Sequence, residues 1–150
     1  MPDDEEALKM GLNRFSPEDA LNLERYIKIL ETPFSEVCQV LGLESEEPKD
    51  VIEVENCIFM FESEKGHLFT GAVVLDNTYG FFGIKIGADW LETAEKLESQ
   101  GFIQAVDPER FTKPGADFGT SVYLYPDTYS DAGESKVQHY SICVRHGRDP

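Results

Sequence analysis

At 150 residues and 16.9 kDa the chain is long enough to bury a core of its own, covering about 68–70% of the surface its unfolded form exposes, without disulfide or metal staples. A hydrophobic fraction of 41% and a charged fraction of 28% are ordinary globular values and exclude a fibrous or disordered chain. Twenty-nine acidic residues against 13 basic ones give a net charge of −16 and a pI near 4.4, which repels nucleic acid and anionic membranes and steers toward a basic partner.

Residues Met1 to about Phe15 read as a polar lead-in, with Leu8, Met10, Leu12 and Phe15 as anchors. The start, Met1-Pro2-Asp3-Asp4-Glu5-Glu6, has no apolar core of the signal-peptide kind, so the expected location is cytoplasmic unless an export leader has been removed. Ser16-Pro17-Glu18-Asp19 is a helix start: Ser caps, Pro fits the first turn, and the acids meet the positive end of the dipole. Ala20, Leu23, Ile27 and Leu30 lie on one helical face, which predicts a helix through about Leu30. Thr32-Pro33 starts a second helix that stops at Gly42. Leu43 to Asp50 is an acidic loop carrying Glu44, Glu46 and Glu47.

Three strands follow: Val51 to Glu55, Cys57 to Glu62, and Leu68 to Leu75, the last two forming a hairpin around Ser63–Gly66. Phe81 to Ile86 reads as a further extended stretch. Asp89 and Glu92 form a capping box for a helix ending near Gln100, with Gly101 as its stop. Phe102 to Val106 is a short strand and Asp107 to Gly119 a loop. Thr120 to Tyr125 and Val137 to Val144 are the closing strands, and Arg145 to Pro150 is a tail.

One stretch occurs twice. Ile27-Lys28-Ile29 recurs as Ile84-Lys85-Ile86, and at the same distance Thr32 becomes Asp89, both good N-caps. Phe34, Val37 and Val40 become Leu91, Ala94 and Leu97, the same apolar row at helical spacing. The expected fold is therefore α+β, an antiparallel sheet with helices packed on one face. It forms a single domain, 1–150, of two helix-plus-strands units, about 16–80 and 81–146, behind the lead-in.

Chemistry is poorly specified. His67, His139 and His146 form neither H-x-x-x-H nor H-E-x-x-H, so no metal or other cofactor is expected. The glycine-rich Gly80–Gly87 stretch lacks the phosphate-binding patterns, and no G-x-S-x-G elbow exists. Cys143 with His139 suggests a nucleophile pair, but four strand residues separate them by roughly 13 Å. Three cysteines, Cys38, Cys57 and Cys143, are an odd count without C-x-x-C, so buried free thiols are the default; a Cys57–Cys143 bridge needs their strands to be neighbours.

The strands carry the better signal. Side chains alternate along a strand, so Ile58 and Met60 point one way and Phe59 and Phe61 the other. Val122 and Leu124 likewise oppose Tyr123 and Tyr125. A sheet covered on one side is expected to be polar on its open side. An aromatic second face, joined by Tyr140 or His139, is instead the composition of binding hot spots.

Helical segments each followed by antiparallel strands, with Ile84-Lys85-Ile86-Gly87-Ala88-Asp89-Trp90-Leu91-Glu92-Thr93-Ala94-Glu95-Lys96-Leu97 as the joint, resemble the β-lactamase-inhibitor-protein-like architecture over about residues 26–62 and 83–126. The same joint is similar to that of small bacterial outer-membrane assembly lipoproteins. The first copy departs from the pattern, with Leu30-Glu31 where the second has Gly87-Ala88. The resemblance implies protein binding on an open aromatic sheet face.

The reading is a non-enzymatic protein-binding domain of the inhibitor or immunity type. Phe59, Phe61, Tyr123, Tyr125 and Tyr140 are its expected anchors, and Glu44, Glu46 and Glu47 steer a basic protein partner. Its rivals are a small-molecule-binding or hydrolytic domain with a pocket between helices and sheet, and an acidic nucleic-acid mimic.

Overall fold

The computed structural model describes residues 22–44, 47–114, 119–128 and 135–145, the side chains of residues 65 and 145 excepted. The expected lead-in, the helix start at Ser16 and the tail lie outside the described residues. Seven antiparallel strands form one sheet: β1 (Val51–Val54), β2 (Cys57–Glu62), β3 (Leu68–Val74), β4 (Ile103–Gln104), β5 (Arg110–Lys113), β6 (Gly119–Pro126) and β7 (Val137–Arg145). Their order across the sheet is β1-β2-β3-β7-β6-β5-β4. Among the described residues two α-helices, α1 (Phe34–Leu41) and α2 (Trp90–Ser99), accompany the sheet in an α+β fold.

Local chemistry explains most element ends. Glu55 and Asn56 both take positive φ, 49° and 60°, the backbone of a two-residue primed turn whose twist suits a hairpin, so β1 folds back tightly on β2. Helix α1 ends where Gly42 turns left-handed and its N–H reaches the Cys38 and Gln39 carbonyls. Helix α2 is capped by Asp89, whose carboxylate accepts from the Glu92 N–H at 3.0 Å. Thr32 does not cap α1. Pro33 holds that position, and the Thr32 hydroxyl instead accepts from the Lys28 N–H at 2.8 Å.

Over the described part of the expected first helix, from Asn22 to Leu30, one 3-10 turn forms, Leu23–Arg25. Its end is set by tertiary bonds that a continuing helix would forfeit. Leu30 turns to φ 59° and gives its N–H to the Phe69 carbonyl at 2.7 Å. The expected extended stretch at Phe81–Ile86 is likewise a turn, with Phe82 and Gly83 at φ 57° and 71°. Its backbone is bound by side chains rather than by a neighbouring strand. The Phe81 N–H donates to the Tyr140 hydroxyl at 2.8 Å, the Phe82 N–H to Glu24 Oε1 at 2.6 Å, and the Ile86 N–H to Asn77 Oδ1 at 2.9 Å. Gln100 Nε2 donates to the Phe82 carbonyl at 3.0 Å. The strand expected over Phe102–Val106 shrinks to two residues, and the loop assigned to Asp107–Gly119 contains β5.

Register places the core. Phe59 pairs with Ala72, Ala72 with Ile142, Ile142 with Val122, and Val122 with Phe111, so one continuous row faces one side. All five are essentially buried. Helix α1 meets this face through Phe34, edge-on to Phe61 at 4.9 Å. Helix α2 meets it through Trp90, beside Phe111 at 6.0 Å and hydrogen bonded through Nε1 to the Leu124 carbonyl. Both helices therefore pack on the same side. The expectation of helices on one face is met for α1 and α2, with the aromatics of β2, not its aliphatics, pointing inward.

The two sheet halves meet at β3 and β7. Gly71 pairs with Cys143 there, and a Cβ at Gly71 would stand 2.5 Å from the Ile142 carbonyl oxygen. Cys57 pairs with Val74 on the core face, while Cys143 lies on the opposite face, so a bridge between them is excluded. The three cysteines are free, and burial pushes the Cys57 thiol up to about 12, so it stays protonated and inert.

Three outcomes follow from these contacts. Gly71→Ala forces the two halves apart at backbone level and loses about 1–3 kcal/mol in denaturant unfolding; an unchanged midpoint would show that the seam yields freely. Tyr140→Phe leaves the buried Phe81 N–H without its acceptor and loses about 1–3 kcal/mol by the same measurement. Burial raises the Glu24 carboxyl above its ordinary 4.5, against the Phe82 hydrogen bond and the nearby Arg25 and Lys113 charges. The folded state thus holds that proton more tightly than the unfolded chain. The Glu24 contribution to stability is full below pH 4.5 and is lost as pH rises through the raised folded value. Glu24→Gln keeps an oxygen acceptor and removes the ionisation, so its stability relative to the parent climbs as pH rises from 4.5 through the raised folded value. A difference independent of pH would contradict a desolvated Glu24.

Candidate binding face

The side of the sheet away from the helices is built by the residues between those of the core row. Met60, Gly71, Cys143, Ser121 and Thr112 form one line across five strands. Ile58, Val73, Ser141, Tyr123 and Arg110 form the next. Beyond Tyr123, Tyr125 pairs directly with His139.

Three rings stack at this end. Tyr123 and Tyr125 lie 6.4 Å apart with planes inclined by 14°, and Tyr125 and His139 lie 4.5 Å apart at 18°. They are neighbours because Tyr123 and Tyr125 are two residues apart on one strand and His139 is the cross-strand partner of the second. The rings are half-buried, whereas Val122 and Leu124 between and beside them are fully buried. Partial burial raises the Tyr125 hydroxyl, with the Ser141 side-chain hydrogen bond pulling the other way. The arrangement is a rigid row of amphipathic rings that the core does not use, suited to contact rather than to bond-making.

The structure brings together only part of the expected site. Tyr123 and Tyr125 lie on the outer face as expected. Phe59, Phe61 and Tyr140 do not. Phe59 and Tyr140 are completely buried and Phe61 nearly so, all within the core cluster. The correction has one cause: paired residues share a face, and β2 presents its aromatics to the side on which β6 presents its aliphatics. Phe59 packs near Phe69 and Tyr79, Phe61 against Phe34, and Tyr140 holds the Phe81 amide. Glu44 and Glu47 are exposed beside β1, and Glu46 lies outside the described residues. Four strand spacings separate β1 from β6, roughly 19 Å, so these acids do not border the tyrosines.

His139 belongs to the stack and Tyr140 to the core, a choice the sequence left open. Its signal was the alternation in Gln138-His139-Tyr140, which needed the register to Tyr125 to be read. Met60, Ile58 and Val73 add apolar surface to the same face. Among the described residues no cluster of His, Cys, Asp or Glu could hold a metal ion, and no helix is long and apolar enough to cross a membrane. His139 and Cys143 share a face, but His139 stacks on Tyr125; His146 lies outside the described residues. Glu24 spends its carboxylate on the Phe82 backbone.

Compared with known proteins, the chain matches no family model, no curated protein and no solved structure.

Proposed function

We propose that this chain is a protein-binding domain of the inhibitor or immunity type. Its contact surface is the sheet face opposite the helices, anchored on Tyr123 and Tyr125 with His139 beside them. The observation that carries the reading is the stack itself: three ordered rings, half exposed, on a face that packs against neither helix. Rings of this kind offer a large contact area at little entropic cost because the sheet has already ordered them. The net charge of −16 selects a basic partner and speeds its approach.

The domain is read as two helix-plus-strands units. Supporting this, Leu30 and Gly87 both adopt positive φ three residues after Ile27 and Ile84, both of which are buried. Each then donates its N–H to the beginning of a central strand, Leu30 to Phe69 and Gly87 to Val137. Inhibitors of the resembled architecture clasp their targets on an open sheet face, the use proposed for this one.

The test is Tyr123→Ala combined with Tyr125→Ala. The double variant keeps a melting temperature near the parent's and loses a captured partner, each tyrosine accounting for about 2 kcal/mol or more of affinity, the range of a hot spot. A large drop in melting temperature would show instead that the tyrosines hold the fold together.

A further inference from the structure

Strand β1 ends the sheet on one side, and helix α1 runs near it without covering it. Between them lies a cleft of about 400 Å³ lined by Phe34 and Cys38 from α1, Ile52 and Val54 from β1, and Leu43 and Glu44 from the loop. That is a volume able to take several side chains.

The hydrogen-bond parity of β1 determines what its outer edge offers. In a hairpin closed by two residues, the flanking pair Val54 and Cys57 exchange both backbone bonds, and alternate pairs do the same. Ile52 with Phe59 follows, and the Phe61 N–H to the Asp50 carbonyl at 2.8 Å continues the alternation. Residues 50, 52 and 54 therefore spend their backbone groups on β2. Val51 and Glu53 turn theirs outward, and no strand pairs with that edge among the described residues. Both are exposed, Val51 at 55%. Two N–H and two C=O groups thus stand about 7 Å apart along an unpaired edge, the template for one more strand.

Side-chain parity sets the composition of that strand. Ile52 and Val54 point to the helix side, into the cleft, while Val51 and Glu53 point to the other side. An added strand would alternate in the same way, one set of side chains entering the cleft beside Phe34 and Ile52, the other lying beside Glu53. Glu44 lines the cleft, Glu53 stands on the other side of the same β1 edge, and Glu47, Asp50 and Glu55 flank it in exposed positions. Lys49 is the basic residue of its lining. The negative surplus calls for cations on the incoming chain.

We infer that the β1 edge and the α1 cleft bind an extended peptide segment in which apolar residues alternate with Lys or Arg, held as an eighth strand of the sheet. The site is separate from the tyrosine stack and stands whether or not the stack binds protein.

The probe is the capped hexapeptide acetyl-Val-Lys-Val-Arg-Val-Lys-amide, titrated into the full chain and followed by backbone amide shifts. Saturable shifts are expected at Val51–Val54 and Phe34–Leu41, weakening about tenfold when salt is raised to about 0.5 M. Val51→Pro removes one outward N–H at an edge position where proline is tolerated, so the fold survives and affinity falls at least about tenfold. Glu53→Lys has a similar effect through charge. Of the two alternately N-methylated forms of this peptide, the one that loses the N–H groups facing β1 does not bind, and the one methylated on the outward-facing set binds as the parent peptide does. Tyr123→Ala with Tyr125→Ala binds it as the parent does. The inference is overturned by no saturation at about millimolar peptide, by a Val51→Pro protein that folds and binds unchanged, by equal binding of the N-methylated peptides, or by shifts confined to the tyrosine face.

Discussion

The pairing of β3 with β7 is the constraint on which the rest of the structure depends. It is the seam between two strand meanders, β1 to β3 on one side and β4 to β7 on the other. Its closeness requires a residue without a side chain at position 71, where β7 backbone occupies the space a Cβ would need. Each helix entry is tied to one strand of this seam. Leu30 and Thr32 bond to Phe69 and Phe34 to His67 at the start of β3, while Gly87 and Ala88 bond to Val137 and Trp90 to Ser135 at the start of β7. Antiparallel neighbours are interchanged by a half-turn about an axis normal to the sheet, and such a turn preserves faces. Two helices docked in the same way at the two strand starts must therefore land on the same side. The seam alone thus keeps both described helices off the opposite face.

That consequence divides the aromatic residues into two populations. On the helix side, Phe34, Phe59, Phe61, Phe69, Phe81 and Phe111 exclude water and gain from mutual contact. Tyr140 enters this set because its hydroxyl has a buried partner to satisfy, the amide of Phe81. On the other side, Tyr123, Tyr125 and His139 have polar atoms that remain near water. Phenylalanine carries no polar atom into the core, whereas a half-exposed tyrosine keeps its hydroxyl near water. The two strand motifs Ile-Phe-Met-Phe and Val-Tyr-Leu-Tyr thus look alike in sequence but face opposite ways.

Local signals were legible wherever a residue's own chemistry decides its conformation. Cys57–Glu62 alternates so strongly that no other element competes, Gly42 and Gly101 end their helices by turning left-handed, and Asp89 caps by the geometry of its side chain. What was not legible depended on partners distant in sequence. The periodicity of Ala20, Leu23, Ile27 and Leu30 suits a helix, yet Leu30 takes a left-handed turn to reach Phe69. Phe81–Ile86 has strand-like composition, but Glu24, Asn77 and Tyr140 claim its amides. Strand β5 hides between Pro108 and Pro114, where the prolines argue for a loop and only pairing with β6 makes a strand. The tyrosines of the outer face were legible as aromatic alternation. The inward turn of Phe59 and Phe61 was not, because facing is a property of register across the seam.

The two edges of the sheet differ in how they are protected. At β4 the edge is two residues long, too short to template much. At β1 it is four residues and exposed, and the device that guards it is charge rather than length. Glu53 sits within it, Glu47, Asp50 and Glu55 sit around it, and the whole chain carries −16. Two copies approaching edge to edge would set these carboxylates against one another, and that repulsion opposes strand pairing between copies. The same charges that reject a second copy attract a cationic strand. An edge guarded by charge is therefore selective rather than closed: it discriminates among partners by sign, which an edge blunted by shortness cannot do.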